Sequence, residues 1–385
     1  MSKSDFTKDE FASRLTRTRE AIAKAGLDWL IVIHPVSMRW LIGQDNKSYT
    51  AFQCLPVSAS GGKLEVFTRE MERSELEADS MADAVRSYNG REPEDPMEAF
   101  AKFAVDLGLT KGRVGMEVPA YYLHSHHYQK LKEILGPALV AEPSGLINSL
   151  KLAKSPQELD YHRRSAQIAG EAWKALLSVA KEGATELELS GAAYQKILSS
   201  GSFLPASTMN LATGERSCFA LGGPTERKMK RGDTGLVELG GAYKRYTSTL
   251  GRQWSIGKPS QRLLDLHKIV AEASDAAMAK MKAGAAAIDA HEALKGVFVK
   301  AGLDHYRQHT SGYGMAPGFP PSWGEPTNMF GGSKDVLQAN MVMTIEPAVF
   351  IKEEGLGVRL IDNCIIKDNG IELLSTTPRG IAVAG

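Results

Sequence analysis

The chain has 385 residues, and its 46 basic side chains nearly balance 45 acidic ones, giving a formal net charge of +1. This length exceeds what one hydrophobic core usually holds, so it predicts two domains. The balanced charge leaves no basic excess for neutralising nucleic-acid phosphates or an anionic membrane surface. We therefore expect a small-molecule substrate, with neither nucleic acid nor membrane as a partner.

The N-terminal segment MSKSDFTKDEFASRL is polar and charged, unlike the apolar core of a secretory signal. No stretch approaches the roughly 18 apolar residues that a membrane-spanning helix needs. The three cysteines, Cys54, Cys218 and Cys364, lie far apart without metal-ligand spacing. An odd number of dispersed cysteines is typical of buried thiols in a reducing compartment. These features together predict a cytoplasmic protein.

Short apolar runs alternate with helical patterns in the first part of the chain, which predicts a small α/β domain. The predicted strands are 27–34, 54–68 and 112–118, the second being a hairpin that turns at Gly61 and Gly62, and the predicted helices are 97–108 and 121–136. Ser155-Pro156 then marks a helix start. The predicted domains are therefore 1–150 and 151–385.

The second domain contains an internal duplication. Residues 181–201 align with 282–302 at a constant offset of 101, and matches in the same register begin at residue 168. Each copy reads as helix, turn and helix followed by a β pattern, at 234–257 and at 340–370. This predicts an α+β fold in which two related halves pack around a pseudo-two-fold axis, helices on one face and strands on the other.

Two glutamates interrupt apolar strand patterns, one in each copy. Glu238 lies in LVELGG and Glu346 in MVMTIEPAVF. A carboxylate among apolar residues is costly unless it is paired, hydrogen-bonded, metal-bound or neutral. Equivalent positions in a duplicated domain favour a shared cleft over two solvent-facing side chains. On the next predicted strand, Arg359 and Asp362 fit either a structural salt bridge or substrate contacts.

Residues 311–326, SGYGMAPGFPPSWGEP, hold four glycines and four prolines. Proline lacks the N–H that a central strand needs, and it breaks helices. The composition therefore predicts a rigid loop that walls a small-molecule cleft.

Several of these segments resemble the creatinase, prolidase and methionine aminopeptidase superfamily, whose catalytic domain is the duplicated pita-bread fold. The segments are VSMRWLIGQD (36–45), GDTGLVELGGAYKRYTSTLGRQ (232–253), HTSGYG (309–314), MTIEPAV (343–349) and VRLIDN (358–363). The resemblance implies a pita-bread catalytic domain, a smaller α/β N-terminal domain and a homodimer.

Metal-dependent members of this superfamily hold two ions with two aspartates, one histidine and two glutamates. The resemblance places these ligands on Glu238, Thr249, Tyr313, Glu346 and Ile361. Two acids cannot supply the bridging and terminal ligands of a two-metal centre. We therefore predict that the protein uses no metal and no other cofactor.

The segments ELGGAYKRY and GFPPSWGEP are similar to those of the creatinase and ectoine hydrolase branch, whose members act without metal on small nitrogen-rich zwitterions. The chain departs from ectoine hydrolases at Tyr246-Thr247, where those enzymes show a Tyr-His pair, and at Ile361. The resemblance therefore does not fix ectoine as the substrate. It implies a hydrolase that cleaves a C–N bond in an amide or amidine.

We expect Glu238 to act as the base or nucleophile and Glu346 as the partner acid or the anchor of a cationic nitrogen. His309 matches a family histidine that meets the substrate carbonyl, and Tyr313 would join it. Arg359 can hold a substrate carboxylate. Trp323 would either face a cationic group or simply cover the domain. The remaining predicted substrate-binding residues are Tyr246, Glu325 and Asp362.

Three other functions fit the same residues. They are a lyase acting on a small compatible solute, an Xaa-Pro dipeptidase or aminopeptidase with an altered site, and a non-catalytic pita-bread binding protein. Solvent-oxygen incorporation separates hydrolysis from elimination, and metal analysis tests a peptidase.

Overall fold

The structure is a computed structural model that describes residues 2–47, 49–92 and 94–385. The chain divides after Lys151 into two compact units, and the second begins at Leu152. Within the described ranges, no helix is both long enough and apolar enough to cross a bilayer.

The first unit is an α/β domain. Its helices are α1 (Lys8–Lys24), α2 (Pro35–Ile42), α3 (Glu70–Asp79), α4 (Pro96–Asp106), α5 (Ser125–Leu135) and α6 (Leu146–Lys151). Its strands are β1 (Trp29–Val32), β2 (Leu55–Ser58), β3 (Glu65–Arg69), β4 (Ala84–Tyr88), β5 (Val114–Met116) and β6 (Leu139–Ala141). Four of the strands form a mixed sheet in the order β2-β1-β5-β6. The predicted alternation of strands and helices is confirmed.

The predicted hairpin over 54–68 is wrong. Strand β2 pairs antiparallel with β1, whereas β3 pairs in parallel with β4 in a separate two-stranded sheet. The only β-type contact recorded between the two segments is an isolated bridge from Cys54 to Phe67. The glycines at 61 and 62 therefore carry the chain from one sheet to another. The helix α3 then brings β4 alongside β3, which gives β3 a better partner than β2.

The second unit is built from four helices and eleven strands in its described residues, 152–385. The helices are α7 (Pro156–Val179), α8 (Glu186–Ser199), α9 (Gln261–Met278) and α10 (Ala287–Lys300). The strands are β7 (Asn210–Thr213), β8 (Thr234–Tyr243), β9 (Tyr246–Ile256), β10 (Gly312–Phe319), β11 (Ser322–Met329), β12 (Val342–Ile345), β13 (Ala348–Ile351), β14 (Leu356–Arg359), β15 (Asp362–Lys367), β16 (Gly370–Leu373) and β17 (Ala382–Ala384).

One nine-stranded sheet runs through both halves of this unit, in the order β16-β15-β12-β10-β9-β8-β7, with β11 paired to β10 and β17 to β9. Helices α7 and α8 pack with β8 and β9 around one hydrophobic core. Helices α9 and α10 pack with β12, β13 and β14 around a second core. The predicted α+β fold, with its duplicated catalytic domain, is confirmed.

Helix α7 begins where the sequence predicts. Ser155 accepts a hydrogen bond from the backbone N–H of Glu158, and the Glu158 side chain accepts one from the backbone N–H of Ser155. This reciprocal capping satisfies two N–H groups that the helix itself cannot pair. Pro156 occupies the first turn, where its missing N–H removes no helical bond.

The segment 311–326 is not a loop, which corrects the prediction made from its prolines. It forms β10 and most of β11, and β10 lies inside the large sheet between β12 and β9. Pairing of β10 with β11 is interrupted between Met315 and Phe319, so Pro317 removes no bond from that ladder. On the other side, the N–H of Gly318 donates to the carbonyl of Arg245 at 2.7 Å. An interrupted ladder is the setting in which a strand tolerates proline.

Helix α7 approaches β8 so closely that Gly241 has no room for a side chain. A Cβ atom there would lie 2.1 Å from the carbonyl oxygen of Ser165 and 2.8 Å from the backbone nitrogen of Ala169. Both obstacles are backbone atoms, which cannot rotate away.

We therefore predict that Gly241→Ala lowers the free energy of unfolding by at least ~1–3 kcal/mol, the usual cost of overpacking. The control is Gly191→Ala on the exposed face of α8, where a Cβ meets nothing within 4 Å. That change should be neutral or stabilising, because alanine is the better helix former. Urea unfolding measures both, and equal stability of the two variants would contradict the close approach.

Candidate active site

Glu238 lies in β8, within the first half of the second unit. Its strand neighbour on β7 is Asn210, whose side-chain amide donates to Glu238 Oε2 at 3.0 Å. The guanidinium of Arg359, from the second half, donates through Nη1 to the same oxygen at 2.7 Å. The Glu238 side chain is only 10% exposed. A buried carboxylate with a cation and an amide donor is stabilised in its ionised form.

Arg359 ends β14 and uses both terminal nitrogens on protein groups. Nη1 binds Glu238, and Nη2 donates to the carbonyl oxygen of Ala220 at 2.6 Å. The guanidinium also lies over the ring of Phe350, 5.2 Å from its centre. These contacts favour a role in holding Glu238. Binding a substrate carboxylate, as the sequence suggested, would require Arg359 to give up one of these bonds.

Glu346 follows β12 directly, and its backbone N–H donates to the carbonyl of Ser311 at 2.9 Å. The side chain is buried, and its Oε1 has no hydrogen-bond partner within the described part of the chain. Burial and then the charge of Glu238 raise the pKa of Glu346 to about 8, against smaller opposing effects of Arg359, Thr344 and Tyr313. Glu346 is therefore mostly a neutral carboxylic acid at neutral pH. The two predicted catalytic glutamates lie close enough for their charges to interact.

His309 lies beside Glu346, with 3.3 Å between Nδ1 and Oε2. Nδ1 also faces the carbonyl oxygen of Thr310 at 3.1 Å. Partial burial lowers the pKa of His309, while the charge of Glu238 and the Thr310 carbonyl oppose that shift. A neutral ring whose Nδ1 faces two oxygens carries its hydrogen there, which leaves Nε2 as a hydrogen-bond acceptor.

Tyr313, in β10, stands next to the same acid. Burial, followed by the charges of Glu346 and Glu238, raises the pKa of Tyr313 well above its ordinary value, so its hydroxyl stays protonated. The indole nitrogen of Trp323 donates to this hydroxyl oxygen at 3.0 Å. With its oxygen accepting from Trp323, the hydroxyl hydrogen of Tyr313 is directed elsewhere, and Glu346 is the neighbouring acceptor.

Trp323 is itself buried and packs closely on the sheet. A Cβ atom placed on Gly240 of β8 would come within 2.8 Å of the Trp323 ring. The side chain belongs to a core cluster with Met315 and Ala206. Of the two roles the sequence left open, the contacts favour covering the domain and orienting Tyr313. An aromatic face for a cationic substrate has no support here.

Three predicted substrate-binding residues lie in buried structural contacts. The Tyr246 hydroxyl donates to Glu158 Oε1 at 2.7 Å. Asp362 accepts from Arg252 Nη2 at 2.6 Å. Glu325 pairs with Lys154, and both side chains are 1% exposed. Nothing brings these three residues to the Glu238–Glu346 pair, so their substrate-binding roles remain predictions without structural support.

The donor set does not fit the two-metal centre that the fold family implies. Glu238 is already paired with a guanidinium, and the residue at the position of its second acidic partner, Thr249, accepts a hydrogen bond from Asn363 at 3.0 Å. Ile361 is fully buried and offers no donor atom. Among the residues that the structure describes, no group of three His, Cys, Asp or Glu side chains could hold a metal ion.

The fold and the site together define a creatinase-like, pita-bread type of enzyme domain. The profile of metallopeptidase family M24 matches residues 160–368, and that of the creatinase/prolidase N-terminal domain matches residues 14–152. The chain therefore belongs to metallopeptidase family M24. The superfamily resemblance drawn from the sequence is confirmed.

Among characterised relatives, the ectoine hydrolase of Halomonas elongata is 26% identical over 395 residues, covering 98% of each chain. The Xaa-Pro dipeptidase of Pyrococcus horikoshii is 28% identical over 234 residues, 61% of this chain and 65% of that protein. The crystal structure of dipeptidase PepE from Mycobacterium ulcerans superposes with a TM-score of 0.86 at 24% identity, covering 98% of this chain and 99% of that one. At that identity, the structural match shows the fold alone.

Asn210 is a site residue that the sequence analysis missed. It lies in TMNLATG, a short polar stretch without a distinctive pattern. Only the strand register, which places Asn210 opposite Glu238, brings the amide to the carboxylate. The duplication could have drawn attention to this strand, but it gives no register between β7 and β8.

We predict that Glu325→Ala acts on stability. The change leaves the buried ammonium of Lys154 without its carboxylate, which should lower the free energy of unfolding by ~3–5 kcal/mol. The control is Glu354→Ala, which breaks an exposed pair with Arg262 (36% and 49% exposed side chains) and should cost less than about 1 kcal/mol.

Chemical denaturation of both variants measures these costs. If Glu325→Ala keeps wild-type stability and loses only substrate binding, the structural role of Glu325 is wrong and the role first predicted from the sequence is right.

Proposed function

We propose that the protein is a metal-independent hydrolase that cleaves a C–N bond, in an amide or amidine, of a small zwitterionic nitrogen compound. The observation that carries this proposal is the division of charge between two neighbouring carboxyl groups. Glu238 is held ionised by Arg359, whereas Glu346 is neutral, with a pKa of about 8. Pairs of acids whose environments push their pKa values apart are suited to acid–base catalysis.

Glu238 is the electron-rich partner in this proposal. It either takes a proton from an attacking water molecule or attacks the carbon of the C–N bond itself. In both versions Arg359 keeps the carboxylate charged and Asn210 fixes one of its oxygens, which leaves the other oxygen for the reaction.

Glu346 is the proton donor. As the C–N bond breaks, the leaving nitrogen needs a proton, and a carboxylic acid that is neutral at pH 7 can supply it. The hydroxyl of Tyr313 is a hydrogen-bond donor for the oxygen that becomes negatively charged during attack, and His309 Nε2 can accept from a substrate N–H. Each role uses a group in the protonation state that the structure favours.

The full-length similarity to an ectoine hydrolase supports a small cyclic or linear amidine over a peptide. The ligand positions of a two-metal peptidase are filled by Thr249, Tyr313 and Ile361, which further supports chemistry without metal. The chain departs from that relative's branch at Tyr246-Thr247, so ectoine is a test compound and other compatible solutes belong in the same panel.

The test is hydrolysis of ectoine, creatine, further compatible solutes and Xaa-Pro dipeptides by protein dialysed against a chelator. We expect turnover of a small zwitterion, unchanged by the chelator, with one atom of solvent oxygen-18 in the products. Glu238→Gln should lower kcat/KM by at least ~10²-fold, the usual scale of general acid–base catalysis, while its far-ultraviolet circular dichroism stays that of the wild type.

Three results would overturn the proposal, each in a different way. Products without solvent oxygen would identify an elimination, and a stoichiometric metal whose removal abolishes turnover would identify a metalloenzyme. Full activity of Glu238→Gln would remove the carboxylate mechanism.

A further inference from the structure

An open cavity of about 570 Å³ adjoins the carboxylate pair on the far side of His309. One wall comes from α10, through His291 and Lys295, which are four residues apart and so share a face of that helix. The segment before β10 contributes Arg307, and the end of β11 with the residues after it contributes Asn328 and Gly331. The sequence analysis assigned no role to these residues.

Two cations line this cavity, and the acids near them lie outside it. Lys295 forms no ion pair with any carboxylate in the described part of the chain. Arg307 donates from Nε to Asp304 at 3.0 Å and from Nη1 to the carbonyl of His309 at 3.3 Å. Glu292 lies 3.8 Å from His291 Nε2 but is 54% exposed. The lining is therefore positively charged, with its counter-charges on the outer side.

His291 shows that the cations converge on the cavity. Burial lowers the pKa of this histidine, and the charges of both Arg307 and Lys295 lower it further, against Glu292 and Asp304. Nδ1 of the ring contacts the Ser311 hydroxyl at 2.9 Å. Nε2 faces Gly331 on the opposite wall, since a Cβ atom at Gly331 would lie 3.6 Å from it. Two neighbouring cations without a carboxylate between them favour binding of an anion.

His309 separates this cavity from the reacting groups by the width of one ring. It lines the cavity, and its Nδ1 lies 3.3 Å from Glu346. Arg359, the other cation at the site, is engaged by Glu238 and by a carbonyl oxygen. A small zwitterion that places its C–N bond at Glu238 and Glu346 therefore meets its nearest uncommitted cations in the cavity.

We propose that this cavity binds the carboxylate group of the substrate through Lys295 and Arg307. The inference rests on the proposed function for the position of the C–N bond, but anion binding itself requires no turnover. A carboxylate held there would fix the substrate across His309, whose Nε2 accepts from a substrate N–H. Lys295 and Arg307 would then determine which compounds bind, because uncharged analogues lose a charge-assisted hydrogen bond.

Direct binding tests the cavity without turnover. In the Glu238→Gln background, N-acetylglycine is titrated by NMR against N-acetylglycinamide and inorganic phosphate. We expect N-acetylglycine to bind and the uncharged amide to bind at least ~tenfold more weakly, about the loss of one charge-assisted hydrogen bond. Adding Lys295→Met should remove this preference, and Lys295→Arg should restore it. Lys300→Met, at the exposed end of the same helix, is the matched control and should change nothing.

A second variant fills the cavity without removing charge. Gly331 has no left-handed backbone angle, and an added Cβ meets only His291 Nε2, at ordinary contact distance. Gly331→Leu should therefore fold normally and abolish N-acetylglycine binding. Its control is Gly296→Leu on α10, where a Cβ meets nothing within 4 Å.

The proposal is overturned if N-acetylglycine binds equally to Lys295→Met and Lys300→Met, if Gly331→Leu leaves binding intact, or if phosphate binds and N-acetylglycine does not. With a hydrolysed substrate in hand, Lys295→Met should raise KM at least ~tenfold with kcat largely kept. Hydrolysis with an unchanged KM would reject the cavity and leave the proposed function standing. Carboxylate binding in the cavity, with no C–N bond hydrolysed, would reject the proposed function and leave the cavity standing.

Discussion

The ion pair between Glu238 and Arg359 determines how charge is divided in the site. Two carboxyl groups in one buried cleft cannot both ionise without a compensating cation. Arg359 donates at 2.7 Å to Glu238, and no comparable bond reaches Glu346 from it. Glu238 therefore keeps the negative charge, and that charge, with burial, keeps Glu346 protonated. The guanidinium supplies, with a single fixed charge, the stabilisation of carboxylates that a pair of metal ions provides in metal-dependent members of such folds.

The duplicated fold makes this ion pair possible, because its partners come from different halves. Glu238 lies on β8 of the first half, and Arg359 ends β14 of the second. The halves meet where the backbones of Gly251 and Ile361 exchange two hydrogen bonds of 3.1 Å. A Cβ atom at Gly251 would lie 2.6 Å from the Ile361 side chain, so this junction requires glycine. Ile361, which resembles a lost ligand position in the sequence, thus has a packing role in the structure.

The fold could be predicted from the sequence because its signals are repeated and local. The ungapped offset of 101 residues and the reciprocal cap at Ser155 each depend on residues near one another in the chain. The two glutamates stood out because a carboxylate in an apolar strand is costly. The strand character of 311–326 could not be predicted, since it depends on an interrupted ladder that forgives Pro317. Tyr246, Glu325 and Asp362 were assigned from position alone, and their partners Glu158, Lys154 and Arg252 are distant in sequence.

The charge state of Glu346 tests the account most directly. Protein labelled with carbon-13 at the glutamate side-chain carboxyl, with the Glu346 resonance assigned through Glu346→Gln, can be titrated by NMR after removal of metal ions. The account predicts a folded-state midpoint at about pH 8, so that Glu346 is neutral where Glu238 is charged. A midpoint near the ordinary glutamate value of about 4.3 would show that both carboxylates are ionised at neutral pH, and it would contradict the division of roles between them.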